Sequence, residues 1–92
     1  MDLRQLEILR AVADTGSFTG AGQRLHLSQS AVSRQILLLE EELKEQLFLR
    51  LGRKVRITPT GTTLLGLSQR LFDDLEQMER LAHETRPKLI IA

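Results

Sequence analysis

The residues best equipped for chemistry lie in the run His26-Leu27-Ser28-Gln29-Ser30-Ala31-Val32-Ser33-Arg34-Gln35-Ile36. The chemistry they offer is recognition. Helical spacing sends Ala31, Val32, Ile36 and Leu39 to one side. Ser28, Gln29, Ser30, Ser33, Arg34 and Gln35 are left mostly on the other, and none is acidic. Hydroxyls, amides and a guanidinium are the groups that hydrogen-bond to base edges and phosphate oxygens. Bond-making chemistry lacks its parts. The chain has no Cys, and His26 and His83 have no metal-ligand spacing. No nucleophile–base pair or glycine-rich phosphate loop is evident, and Glu40, Glu41 and Glu42 are consecutive, so they cannot share one helical face. The expectation is a chain that is not an enzyme and needs neither metal nor cofactor.

A surface that binds a polyanion needs positive charge, and the formal net charge is only +1. Its distribution is more telling. No Asp or Glu occurs between Asp14 and Glu40, or between Glu45 and Asp73. Those windows hold seven of the thirteen Lys and Arg: Arg24, Arg34, Arg50, Arg53, Lys54, Arg56 and Arg70. The rest of the chain carries six basic and twelve acidic residues, a net of −6. Basic groups are segregated where a polyanion would lie.

The surrounding elements must position these groups. Residues 2–14 space Leu3, Leu6, Ile8, Leu9, Val12 and Ala13 as a first helix, stopped by Gly16. Ser17 caps a short second helix over 18–25, with Phe18, Ala21, Gly22 and Leu25 inward. His26-Leu27 is the turn, and Ser28 caps the third helix, which runs to about Lys44. Its acidic run Glu40-Glu41-Glu42 reads as a solvated face. Phe48–Leu51 and Lys54–Ile57 read as a small hairpin with Gly52-Arg53 at a basic tip. Thr58 caps a long helix that begins at Pro59 and ends before Pro87. Within it Leu64, Leu67, Leu71, Leu75, Met78 and Ala82 recur at steps of three and four, a heptad-like seam that reads as a dimer contact. Lys88–Ala92 reads as the start of a strand.

The expected fold class is all-α: a winged helix-turn-helix with a small two-stranded wing and a long C-terminal linker helix for dimerisation. Ninety-two residues suffice for one small domain and an added element. Three Phe, with no Trp or Tyr, argue against single-strand binding, which relies on stacking platforms. No stretch is apolar enough to span a membrane, and Met1-Asp2-Leu3-Arg4 does not open a signal peptide. With no Cys, a reducing compartment is expected, and the cytoplasm is the expected location.

The motifs also resemble a family. Phe18-Thr19-x-Ala21, the run Arg24 to Ile36, Leu39-Glu40, Leu47-Phe48, Arg50, Arg53 and Thr58-x-x-Gly61 are similar to the N-terminal DNA-binding domain of LysR-type transcriptional regulators. The match runs without a gap from Met1 to about Gly61. It implies a winged helix-turn-helix domain over 1–58 (helix-turn-helix about 18–37, wing about 48–57), a linker helix over 59–86, and the onset of an effector-binding domain at 87–92. It implies major-groove contacts by Ser28, Gln29, Ser30, Ser33 and Arg34, with Arg53 at the wing; from the residues themselves Gln35 joins the first set, and Arg50 and Lys54 the second. It also implies a homodimer through the linker helix, tetramers in full-length relatives, and a small-molecule effector bound only by the missing domain. This chain departs from the family at Ser30, often Pro, and at Gly20 and Gly22. Leu51 is unusually apolar for its place beside the wing turn.

Some roles stay open at this stage. Arg24 contacts a phosphate or pairs with the acidic run. Arg50 and Arg56 either touch DNA or solubilise the hairpin. The rival reading from another class is a winged helix that binds a partner protein, through helix three or the leucine seam. An exposed apolar patch on helix three in place of the Ser/Gln/Arg face would favour it.

Overall fold

The computed structural model describes the backbone of residues 1–89 and the side chains of residues 1–85. Three helices come first: α1 (Leu3–Thr15), α2 (Phe18–Leu25) and α3 (Gln29–Leu43). A hairpin of β1 (Phe48–Leu51) and β2 (Lys54–Ile57) follows, then α4 (Pro59–Leu89).

Local chemistry sets the helix ends. The Asp2 carboxylate accepts from the Gln5 amide while the Gln5 side chain accepts from the Asp2 amide, a capping box. Ser17, Ser28 and Thr58 cap the other three starts, accepting from the amides of Gly20, Ala31 and Gly61 at 2.8, 3.1 and 3.0 Å. These caps satisfy amides that the helix itself cannot. Gly16 ends α1 with φ 71°, a left-handed conformation that glycine adopts without a Cβ clash. His26 ends α2 in the same region, φ 58°.

The core lies where α1, α2 and α3 meet the base of the hairpin. Ile8, Leu9, Val12, Val32, Ile36, Leu39, Leu47 and Phe48 are fully enclosed there. The apolar side expected for α3 is therefore real at Val32, Ile36 and Leu39, with Ala31 half-buried. Leu3, which shares the helical spacing of α1, is exposed at its first residue. Gly22 is buried against the α2–α3 turn. A Cβ there would sit 2.5 Å from the Leu27 carbonyl oxygen, so its smallness permits the tight turn.

The hairpin is antiparallel, with Phe48 opposite Ile57 and Leu51 opposite Lys54. Gly52 and Arg53 form the two-residue turn, and only Gly52 has a positive φ, 68°. That is the type II′ pattern, whose twist suits a tight hairpin. One backbone bond ties β2 to the end of α1, and another closes the base of the hairpin. The Val55 amide donates to the Gly16 carbonyl at 3.0 Å, and the Thr58 amide to the Leu47 carbonyl at 2.9 Å.

Glu40 corrects the expectation of a solvated acidic run. Its side chain is 9% exposed. One carboxylate oxygen accepts from the amides of Leu47 and Phe48 at 2.7 and 3.3 Å, and the other meets the Arg50 guanidinium at 3.3 Å. Glu41 and Glu42 remain exposed. Burial of one acid out of three follows from its position on the inner side of α3, facing amides at the entry to β1 that have no strand partner.

The fourth helix leans on the domain at its first turns. A Cβ on Gly61 would lie 2.4 Å from the Leu47 carbonyl oxygen and 2.7 Å from Ile57 Cγ1, so only glycine lets α4 approach the wing base this closely. Further along, Phe72 and Leu75 meet Leu3 and Arg10 of α1, with the Arg10 guanidinium 5.9 Å from the Phe72 ring centroid, and residues 80–85 are exposed in a molecule 60 Å long. The helix continues through Pro87 to Leu89 and does not stop before it. A proline forfeits one ladder bond, and in a last turn few bonds depend on it. The strand expected over Lys88–Ala92 is thus helix at Lys88 and Leu89, and residues 90–92 lie outside the described residues.

Candidate nucleic-acid interface

The N-terminal half of α3 presents its polar side to solvent. Ser28, Gln29, Ser30 and Arg34 are exposed and Ser33 is half-buried. Ser30, Ser33 and Arg34 follow one another round the helix on a single face, with Gln29 at its wing-side edge. Arg34 makes no ion pair or hydrogen bond among the described residues, so its five donors are open to a ligand. Ser28 is engaged differently. Its Oγ already accepts from the Ala31 amide and lies 3.3 Å from the Ser30 hydroxyl. It caps the helix and retains at most a hydroxyl proton to offer.

Gln35 does not share this face. At about 100° per residue it lies about 140° round the helix from Ser30. Its side-chain oxygen accepts from the Gln5 amide group at 3.2 Å, tying α3 to α1. The expectation that it stands beside Arg34 is corrected by helical geometry.

Between α3 and the wing lies an open cleft of about 820 Å³. Gln29 and Ser33 form one wall, Arg53, Lys54 and Val55 the other, with Ser17, Phe18 and Thr19 at the start of α2 closing one end. Arg53 and Lys54 are exposed at the tip and have no acidic partner among the described residues. No acidic side chain lines the cleft. It therefore combines hydroxyl and amide donors with two free cations and carries no opposing charge.

Two further arginines are held by the protein. Arg50 reaches over the Phe18 ring, 5.2 Å from its centroid, while pairing with Glu40. It joins the wing to α2 and α3 and also lines the cleft, and its bonds to Glu40 and the Phe48 carbonyl leave guanidinium donors over. Arg24 pairs with Asp14 at 3.0 Å, and not with the acidic run of α3. Arg56 is exposed on the outward side of β2.

On α4 the seam divides. Leu64 and Leu75 are half-buried, Leu64 against the domain core and Leu75 in a groove that also holds Leu3 and Phe72. Leu67, Leu71 and Met78 are 57, 41 and 57% exposed. Leu81, missed in the heptad reading, is 50% exposed close to that stripe. Together these side chains form an exposed apolar stripe along α4. On α3, Leu37 and Leu38 are also exposed, but beyond the Ser30–Arg34 face, which is present and unobstructed. The partner-protein reading required that face to be replaced by an apolar patch, so it is not favoured.

Among the described residues, no three His, Cys, Asp or Glu side chains gather as a metal site. No helix of the described residues is long and apolar enough to cross a membrane.

Helix, helix, tight turn, exposed polar helix and basic hairpin together define the winged helix-turn-helix class of DNA-binding domains. Residues 3–62 match the family described as "Bacterial regulatory helix-turn-helix protein, lysR family". The chain belongs to that family. It is 51% identical over 80 residues to an HTH-type transcriptional regulator from the ibpB–leuC intergenic region of Azotobacter vinelandii, covering 87% of this chain and 56% of that protein. It is 42% identical over 81 residues to the RuBisCO operon transcriptional regulator of Allochromatium vinosum, covering 88% of this chain and 27% of that protein. The chain thus spans little more than half of one such relative and about a quarter of the other. Among solved structures, the BenM DBD in complex with catB site 1 DNA superposes with a TM-score of 0.87 at 37% identity, covering 94% of this chain and 96% of that one. The CbnR DBD–DNA complex superposes at 0.80 with 34% identity, covering 97% and 99%.

Proposed function

We infer that this chain binds double-stranded DNA sequence-specifically, as a two-fold dimer, for a bacterial transcriptional regulator. The observation that carries the reading is the unobstructed Ser30–Ser33–Arg34 face beside a cleft rimmed by Arg53 and Lys54. In this reading the start of α3 enters a major groove, Gln29, Ser30, Ser33 and Arg34 meet base edges, and Ser28 keeps the helix start rigid. A phosphate backbone lies in the cleft, and the wing tip enters the neighbouring minor groove, where a narrow groove attracts Arg. Arg50 and Gln35 act as struts for these elements.

Two such domains are joined through the exposed side of α4, with Leu67, Leu71 and Met78 central and Leu64 and Leu75 at the border with the domain. Pairing two reading helices about a two-fold axis calls for an imperfectly palindromic site. The division into a winged unit over 1–58, a linker over 59–86 and an effector-domain onset at 87–92 belongs to this proposal. So do tetramers of the full-length protein, a small-molecule effector held by a further domain, and a cytoplasmic setting. The reading assigns binding and not catalysis to this chain.

A salt titration on duplex DNA tests it. The logarithm of affinity should fall linearly with that of salt concentration, with a slope equivalent to several released counterions. A folded dimer that binds no duplex at low salt would refute the reading.

A further inference from the structure

The outward face of the wing holds two leucines that neither the core nor the reading helix uses. Side chains alternate along a strand, and directly opposed residues share a face. The register therefore sets Leu49 with Arg56, and Leu51 with Lys54, on the face opposite Phe48, Arg50, Val55 and Ile57, with Lys54 at the tip also bordering the cleft. Leu51 is 52% exposed and Leu49 41% exposed. Leucine so exposed at a turn gains nothing from water. Its neighbours at the tip, Arg53 and Lys54, are cations, and no acid occurs from Gln46 to Phe72. A surface that is cationic with an apolar centre complements a minor groove, where phosphates form the rims and deoxyribose C–H groups the walls. Apolar side chains, leucine among them, are recurrent minor-groove contacts.

We propose that Leu51 is an apolar minor-groove anchor. It rests on the DNA-binding reading above. With Arg53 pointing into the groove, Leu51 packs against the deoxyribose wall on the side away from the domain, while the inner side of the tip meets the wall nearer α3. Leu49 lies two residues back toward the wing base and stays outside the groove. The contact fixes how deeply the wing enters and which flanking sequences, by groove width, admit it. Packing apolar surface releases no counterions, so its contribution is independent of salt, whereas each phosphate contact adds to the salt slope.

The test uses a labelled duplex enriched by this chain from a random pool, with anisotropy measured across a salt series. Leu51→Ser should weaken binding about five-fold at every salt concentration and leave the slope unchanged. Leu51→Met should restore most of the affinity. Leu49→Ser should change it less than about two-fold, and Arg53→Ala should reduce the slope by about one. Hydroxyl-radical cleavage, which reports on minor-groove sugars, should show protection flanking the site that Leu51→Ser alone among the leucine variants removes. Matching thermal melts establish that each variant is folded. Unchanged affinity in Leu51→Ser, or a loss equalled by Leu49→Ser, overturns the anchor while leaving DNA binding intact. Failure of the unmodified chain to enrich any duplex overturns the DNA-binding reading itself, and the anchor with it.

Discussion

Replacing Glu40 tests how the wing is held against the reading helix. The carboxylate serves three donors from a site 9% exposed: the Leu47 and Phe48 amides on one oxygen and Arg50 on the other. Glu40→Ala strands both amides at the entry to β1 and releases Arg50. A hydrogen bond to a charged group contributes about 1.5–3 kcal/mol, and a buried amide left unsatisfied costs about 1–3 kcal/mol. Allowing for partial access of water at the chain's surface, the loss should be about 3 kcal/mol. A chain of this size has a total stability of about 5–14 kcal/mol, so much of it would go. Glu40→Gln separates the two oxygens. Its carbonyl oxygen can still accept from the amides, while its NH2 group faces a guanidinium that can only donate, so about 1–2 kcal/mol should be lost. Urea unfolding measures both, at fixed protomer concentration because the proposed dimer would make stability concentration-dependent. DNA affinity should fall in the same order as stability, through a wing that is no longer fastened. An alanine variant within about 0.5 kcal/mol of the unmodified chain would refute the buried-acceptor argument. So would a glutamine variant as unstable as the alanine one, since the amides would then not matter.

Arg34→Ala should weaken binding to a selected duplex by about 1–3 kcal/mol and relax one base preference; an equal loss on random duplexes would reassign Arg34 to a phosphate. Leu71→Asp should yield monomers in sedimentation, since it sets a charge in the exposed stripe; an unchanged mass would show that the stripe is not the dimer contact. Gly61→Ala should destabilise the domain by about 1–3 kcal/mol, because the added carbon meets the Leu47 carbonyl and Ile57, both held in place; an unaltered denaturation midpoint would mean that α4 can pivot away at no cost.

Much of this architecture was legible in the residues because its signals are short-range. Ser17, Ser28 and Thr58 each cap a helix through an amide three residues on. Gly16 and the Gly52-Arg53 pair stop or reverse the chain where their backbone preferences dictate. The open face of α3 was legible for Ser30, Ser33 and Arg34, since a helix repeats over so few residues. Other assignments depended on partners far along the chain. Gln35 and Arg34 are adjacent polar residues, and only contact with Gln5 distinguishes them. Arg50 and Arg53 look alike in a basic hairpin until Phe18 and Glu40 claim the first. The leucine seam reads as one stripe, yet the body of the domain half-covers Leu64 and Leu75 and leaves Leu67 and Leu71 bare.

The amino-acid sequence by itself determined the order of elements, their caps and turns, and an α3 whose first eleven residues carry no acid, followed by a basic hairpin. These follow from hydrogen bonds and dihedral preferences that act within a few residues. Tertiary structure decided which of those polar groups remain available. It buried Glu40, occupied Arg50 and Gln35, and left Arg34, Arg53 and Leu51 exposed. A side chain's freedom to bind depends on what packs beside it, and those neighbours come from distant parts of the chain.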